Sequence, residues 1–408
     1  MSPTMIPFVD APPKGRIDRG RLVSAPQAPR RPERMPETSR PGGFRRGVWH
    51  HVVRWVTGFV TASAIVICVS PYFISSLRVY EWSSDLNDHI IKPGYVHRNR
   101  DEGWSKTHYG VYGLHNASGL DRLAEPTVLI WGDSYVEAHQ VNDHQKMDYH
   151  VSEALSMGEA GPTRAVAIGQ AYWSIADYYF HIPAYERLFR PKYHFIVLAE
   201  HGLKDLCPDG ETFLSEPAYA FVDRTIVDTQ RSRIIAELQE YGLSDAVLAP
   251  WKALRGILKD VRSARFALGP VARQEQEDPA DSTSFLFAAE TPERLADSWA
   301  YAIDMLTSVT DTPIVFVLVP EVPYLKNGRV CLDDPQAAWR LRLVRLLAEK
   351  RVGCIDMAGT LIEDFRRTGQ LSRGFHHGRP GRGHLNARGH RLLAQQICVY
   401  LEEQAAAQ

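Results

Sequence analysis

Two short stretches carry the residue types of acyl chemistry. TVLIWGDSYV, at 127–136, ends an apolar run on Gly132-Asp133-Ser134, and GRGHLNARGHRLLAQQI, at 381–397, sets His384 just ahead of helical spacing. A serine hydroxyl is a weak nucleophile near neutrality and needs a base within hydrogen-bond reach. It also needs donors aimed at the oxyanion that forms when it attacks a carbonyl. The chain has 16 histidines, and His384 stands out by context. Its loop is expected to follow the last of five strands and to share a sheet edge with Ser134. Asp133, beside the serine, reads as a brace for the turn through backbone hydrogen bonds. His390 reads as structural, on the closing helix.

The elements that must position these residues recur with a regular rhythm. Short β-rich runs fall at 127–131, 164–168, 194–199, 313–319 and 353–357, and helical spacing at 143–157, 174–189, 337–350 and 386–402. Continuous apolar strands alternating with helices predict a parallel sheet covered on both faces. The expected fold is therefore a three-layer α/β/α sandwich with a five-stranded parallel sheet. Functional groups in such sheets gather beyond the carboxyl ends of the strands, which is where Ser134 falls. The aromatic residues Tyr172, Trp173, Tyr178 and Tyr179 read as helix-face core packing.

The chain has 408 residues, 44% hydrophobic and 23% charged, with a formal net charge of -1. That balance carries no electrostatic footprint for nucleic acid. The charge is uneven, because the first 54 residues hold eleven Lys/Arg against four Asp/Glu. Residues 1–54, rich in Pro, Arg, Gly and Ser, read as a disordered basic tail. WVTGFVTASAIVICVSPYFISSL, at 55–77, holds no charged residue and is long enough to cross the ~30 Å hydrocarbon core as a helix. With Arg45, Arg46 and Arg54 on its amino-terminal side, the positive-inside rule places the tail in the cytoplasm and the rest outside. We therefore expect a single-pass membrane protein with its main domain extracytoplasmic. Residues 78–118 are a lead-in, and 119–402 the main domain, with a largely helical insertion at about 208–291. WKALRGILKDVRSARFAL within it reads as a surface helix with a solvated basic face. The five cysteines form no C-x-x-C pair, so no metal site is expected. Cys207, Cys331, Cys354 and Cys398 are either buried thiols or two disulfides.

GDSYVEAHQV, preceded by NASGLDR at 116–122, and HLNARGHRLLA resemble the end blocks of the SGNH (GDSL-type) hydrolase superfamily, particularly its bacterial membrane-associated members linked to polysaccharide acylation. VAIGQAYW and FIVLAEHGLKDL resemble the second and third blocks. The resemblance implies a serine esterase or O-acyltransferase, with Ser134 as nucleophile, His384 as base and Gly169 as oxyanion glycine. It implies no cofactor, and as partners a carbohydrate or other acylated small substrate, a membrane acyl-transfer protein and the lipid bilayer through 55–77. The chain departs from the pattern where the acid before the histidine should stand, at Gly381 and Arg382. It departs again at Lys204, in the place of an oxyanion asparagine, and at Ala167. A carboxylate from another loop, or a backbone carbonyl, would have to orient His384. If nothing does, the alternative is a catalytically degenerate domain that binds glycan or scaffolds an export complex.

Overall fold

A computed structural model of the chain describes residues 42–73, 75–76, 78–86, 88–100, 102–115, 126–156, 164–171, 173–199, 292–326, 328–375 and 380–407. Lys204, the 116–122 lead-in to the nucleophile, Tyr172, Cys207 and the insertion at 208–291 lie outside the described residues, as do residues 1–41 of the basic tail.

The sheet is as the apolar runs predict. Its strands are β5 (Pro126–Gly132), β6 (Arg164–Gly169), β7 (Tyr193–Ala199), β8 (Ile314–Val319) and β11 (Gly353–Asp356), all parallel, in the spatial order β6-β5-β7-β8-β11. The order reverses between β5 and β7, because the chain first goes outward to β6 and then returns past β5. Open parallel sheets form ligand crevices at such switch points, and Ser134 follows β5 directly.

Alternation along the strands divides the core into two halves. Leu129 and Trp131 of β5 face one side, with α4 (Ile175–Phe189), α5 (Pro292–Ser308) and α6 (Ala337–Glu349) supplying Ile182, Trp299 and Leu343. Val128 and Ile130 face the other, against α2 (Ser134–Glu137), α3 (Met147–Ser156), α7 (Ala358–Thr368) and α8 (Ala387–Ala407), which bring Val136, Val151, Leu361 and Leu393. Each of these side chains is essentially removed from water, contributing roughly 1.5–3 kcal/mol for a full-sized apolar residue. Trp173 and Tyr178 belong to the first half, and Tyr179 packs against it, in keeping with a core reading of that aromatic group.

The lead-in is more than a connector. It forms two antiparallel hairpins, β1 (Tyr80–Ser83) with β2 (Asp88–Ile91) and β3 (Val96–Asn99) with β4 (Ser105–His108). A third short pair, β9 (Tyr324–Lys326) with β10 (Arg329–Cys331), follows β8. Cys331, Cys354 and Cys398 are free thiols.

Helix α1 (Gly42–Phe73) covers most of the segment expected to cross the bilayer. It begins at Gly42, within the stretch 1–54 read as a disordered tail. Trp49, Trp55 and Phe59 are exposed on it. Among the described residues no helix is long and apolar enough to cross a membrane. The side chains at 66, 67 and 69–73, within the expected span, are outside the described set.

Candidate active site

Ser134 is the first residue of α2, a single turn that starts where β5 stops. Asp133 caps it: the carboxylate accepts from the Tyr135 amide at 2.8 Å, satisfying one of the donors a helix start leaves unpaired. Asp133 is 7% exposed and braces the turn through that bond. Gly169, at the end of β6, stands opposite Gly132 in the register. A Cβ there would lie 2.5 Å from the Glu137 amide nitrogen, so the bare glycine lets α2 rest on the strand.

The loop before α8 brings the histidine. His384 Nε2 lies 2.9 Å from Ser134 Oγ, across 250 residues of sequence. This is the reach a general base requires. The other ring nitrogen, Nδ1, lies 2.5 Å from Glu102 Oε2. The second Glu102 oxygen accepts from the His384 backbone amide at 3.1 Å. One carboxylate therefore holds both the ring and the peptide of His384, in the role left open at Gly381 and Arg382. Arg382 instead turns its Nε to the Leu325 carbonyl at 3.3 Å. The His384 and Glu102 side chains are 25% and 28% exposed, so the hydrogen-bonded chain from serine to carboxylate opens to solvent and to substrate.

Glu102 is the member of this candidate site that sequence reasoning missed. It sits in the turn between β3 and β4, which is locally over-determined. The Asn99 side-chain amide donates to the Glu102 carbonyl, and Arg100 Nη1 donates to the Asn99 and Ser105 carbonyls at 2.7 and 3.0 Å. Gly103 has φ +75°, and any Cβ there would collide with the Gln140 carbonyl. The turn thus needs glycine for both conformation and space. The sequence signal is the alternating polar stretch VHRNRDEGWSKTH broken at Glu102-Gly103, which marks a hairpin without saying where its tip goes.

The hairpins are tied to the segment after Ser134 by polar contacts that are largely buried. Arg78 Nη2 donates to Glu137 Oε2 at 2.9 Å, and the same oxygen accepts from the Ala171 amide at 3.1 Å. Tyr109 OH meets His139 Nε2, and Ser105 Oγ donates to the His139 carbonyl. His108 Nδ1 lies 2.7 Å from Asp143, and Lys146 Nζ donates to Thr107 Oγ1 at 3.0 Å. Burial lowers Lys146 to about 8 against the pull of Asp143, raises Asp148 to about 7, and holds the Glu137 carboxyl above its ordinary value despite Arg78. His390, beneath the site on α8, is pushed down to about 3 by burial and is 1% exposed. It is a neutral core residue, not a second base.

The group sets a hydroxyl, an imidazole and a carboxylate in one hydrogen-bonded line, with no cluster of side chains suited to a metal ion among the described residues. Such an arrangement activates a hydroxyl for attack on an acyl carbon.

No family model matches the chain, and no curated protein does. Among solved structures it is similar to a member of the lipolytic protein G-D-S-L family from Veillonella parvula DSM 2008. The two are 12% identical over 67% of this chain and 96% of that one, with a TM-score of 0.34. It is also similar to a catalytic mutant of Axe2, an acetylxylan esterase from Geobacillus stearothermophilus, at 10% identity over 67% and 92% of the two chains and a TM-score of 0.35. Likeness at that level adds nothing to the chemistry, which rests on Ser134, His384 and Glu102 themselves.

Proposed function

We propose that this chain is a serine esterase or O-acyltransferase of the SGNH type, acting on acyl groups of an extracytoplasmic carbohydrate. The observation that carries the reading is the unbroken hydrogen-bonded line from Ser134 Oγ through the His384 ring to Glu102. Ser134 Oγ attacks the acyl carbon while His384 Nε2 takes its proton, and Glu102 stabilises the imidazolium that results. The same proton then passes to the departing alkoxide as the C–O bond breaks, leaving an acyl-serine. Water, or a sugar hydroxyl, attacks that ester with His384 again as base, and Ser134 recovers its proton. The amides of Ser134 and Gly169 are the proposed oxyanion donors, with Lys204 as a further cation. Water as acceptor makes the protein a hydrolase and a sugar hydroxyl makes it a transferase, through one shared intermediate.

The rival reading, a degenerate domain that binds glycan or scaffolds a complex, draws on the missing acid and the missing asparagine, and Glu102 beside His384 answers the first of these. The bilayer anchor at 55–77 and the periplasmic placement belong to the same proposal, supported by an uncharged stretch on a helix with exposed Trp55 and Phe59. A membrane acyl-transfer partner would supply the acyl group if the acceptor is sugar.

The test is turnover of an activated acetyl ester by the full-length protein, beside Ser134→Ala and His384→Ala. Equal rates for all three, with no labelling of Ser134 by a fluorophosphonate, sink the enzyme. For topology, a periplasm-dependent reporter fused after Gln408 should be active. Activity of a cytoplasm-dependent reporter there overturns the orientation.

A further inference from the structure

One buried cation in the described structure is spent on the geometry of the site. Arg373 is 1% exposed. Its Nη1 donates to Tyr135 OH at 2.6 Å and to the Gly383 carbonyl at 3.2 Å. Its Nη2 donates to the Val319 and Pro320 carbonyls at 2.7 Å each. The guanidinium also lies over the Tyr135 ring, 5.1 Å from its centroid, and Tyr135 OH donates in turn to the Gly383 carbonyl at 3.0 Å. Desolvating a guanidinium is costly, and four oxygens are gathered to offset it.

These oxygens belong to three parts of the site. Tyr135 follows the nucleophile on α2, Gly383 precedes the base, and Val319 and Pro320 mark the end of β8. The backbone of Arg373 joins the same loop, accepting from the Gly381 amide at 3.0 Å and bridging to Leu385. The Gly383–His384 peptide is consequently held from both sides. Its carbonyl is fixed by Tyr135 and Arg373, and its amide by Glu102.

We propose that Arg373, acting through Tyr135, is a positioning residue that holds the His384 loop at hydrogen-bonding distance from Ser134. This rests on the Ser134–His384 reading above. The planar fork matters, because its two ends serve different elements, and a lysine ammonium cannot span them with fixed direction. Displacement of a catalytic group by about 1 Å can cost on the order of 100-fold in rate.

The experiment compares the full-length protein with Arg373→Lys, Tyr135→Phe and the double variant. It measures kcat and KM on an activated acetyl ester, the rate of fluorophosphonate labelling at Ser134, and the His384 Nδ1 proton resonance by NMR. Arg373→Lys is expected to lower kcat about 10- to 100-fold, with KM within about threefold and labelling slowed in proportion. Tyr135→Phe should show a smaller loss of the same kind, and the double variant no more than Arg373→Lys, because the residues act as one unit. Folded variants with wild-type kcat, labelling and resonance overturn the proposal, as do losses that multiply. If Arg373→Lys does not fold, Tyr135→Phe decides alone. If the wild type neither turns over nor labels, the catalytic reading falls, and the resonance judges the clamp. Its loss or broadening in Tyr135→Phe upholds the positioning role, and an unchanged line refutes it.

Discussion

Glu102 and His384 are joined twice, through the ring at 2.5 Å and through the backbone amide at 3.1 Å. The carboxylate therefore sets the tautomer that leaves Nε2 free to accept from Ser134, and it compensates the imidazolium. Glu102→Gln keeps the shape and removes the charge. We expect kcat on an activated ester to fall on the order of 10²- to 10⁴-fold with little change in KM. Steady-state kinetics check this, and an unchanged kcat would leave Glu102 outside the mechanism.

Gly383 meets two demands at once. Its φ is +78°, and a Cβ would stand 2.5 Å from Glu102 Oε1. Gly383→Ala should therefore push the carboxylate off His384 and reduce activity more than stability. Gly328, in the β9–β10 turn, has φ +73° but open space around it, so Gly328→Ala carries only the conformational strain, about 1–2 kcal/mol, and should keep wild-type kcat. Paired melting curves and turnover rates separate the two effects.

The Arg78–Glu137 pair bonds the lead-in to the helix of the nucleophile, with the Glu137 side chain 3% exposed. Arg78→Ala strands a buried carboxylate and is expected to cost roughly 3 kcal/mol. Burial already raises Glu137, and loss of the cation raises it further. A carboxyl with a raised folded value costs stability as pH rises through the window between its unfolded and folded values. The penalty should accordingly be larger at pH 8 than at pH 5 in urea denaturation, and a pH-independent penalty would contradict the assignment.

His390 titrates in the opposite sense. Burial, with Lys146, His150 and His384 adding positive potential, puts its folded value at about 3, below the ~6.5 of an unfolded histidine. Between those values the unfolded chain binds the extra proton, so stability falls as pH drops, by about 1.4 kcal/mol per unit for this group. His194, lowered to about 4 by burial, adds to the same slope. His390→Phe should flatten the acid limb by close to one proton, measured as the urea midpoint against pH.

Much of the architecture was legible because it depends on local pattern. All five strands fall within a residue or two of the apolar runs, since a strand buried on both faces must be apolar throughout. Ser174 opens α4 with a capping box to Asp177, and the helical spacing begins at that residue. Helices α5 and α7 were not anticipated. Helix α7 is amphipathic over its 11 residues, so its period was present in the chain, whereas α5 follows directly on the insertion, with no strand to mark its start.

The chain alone was enough to put Ser134 at a strand end and His384 on a loop beyond the last strand, because each is announced by its neighbours. The acid is different in kind. Glu102 lies 282 residues from His384, in a hairpin whose pattern is the same whether its tip is exposed or docked. Only the tertiary structure decided that Gly103 would pack against Gln140, that Arg78, Tyr109 and Lys146 would tie the lead-in to the segment after the nucleophile, and that Arg373 would reach Tyr135 and Gly383. Those contacts join residues far apart in sequence through hydrogen bonds and buried charge, which leave no period in the chain to read.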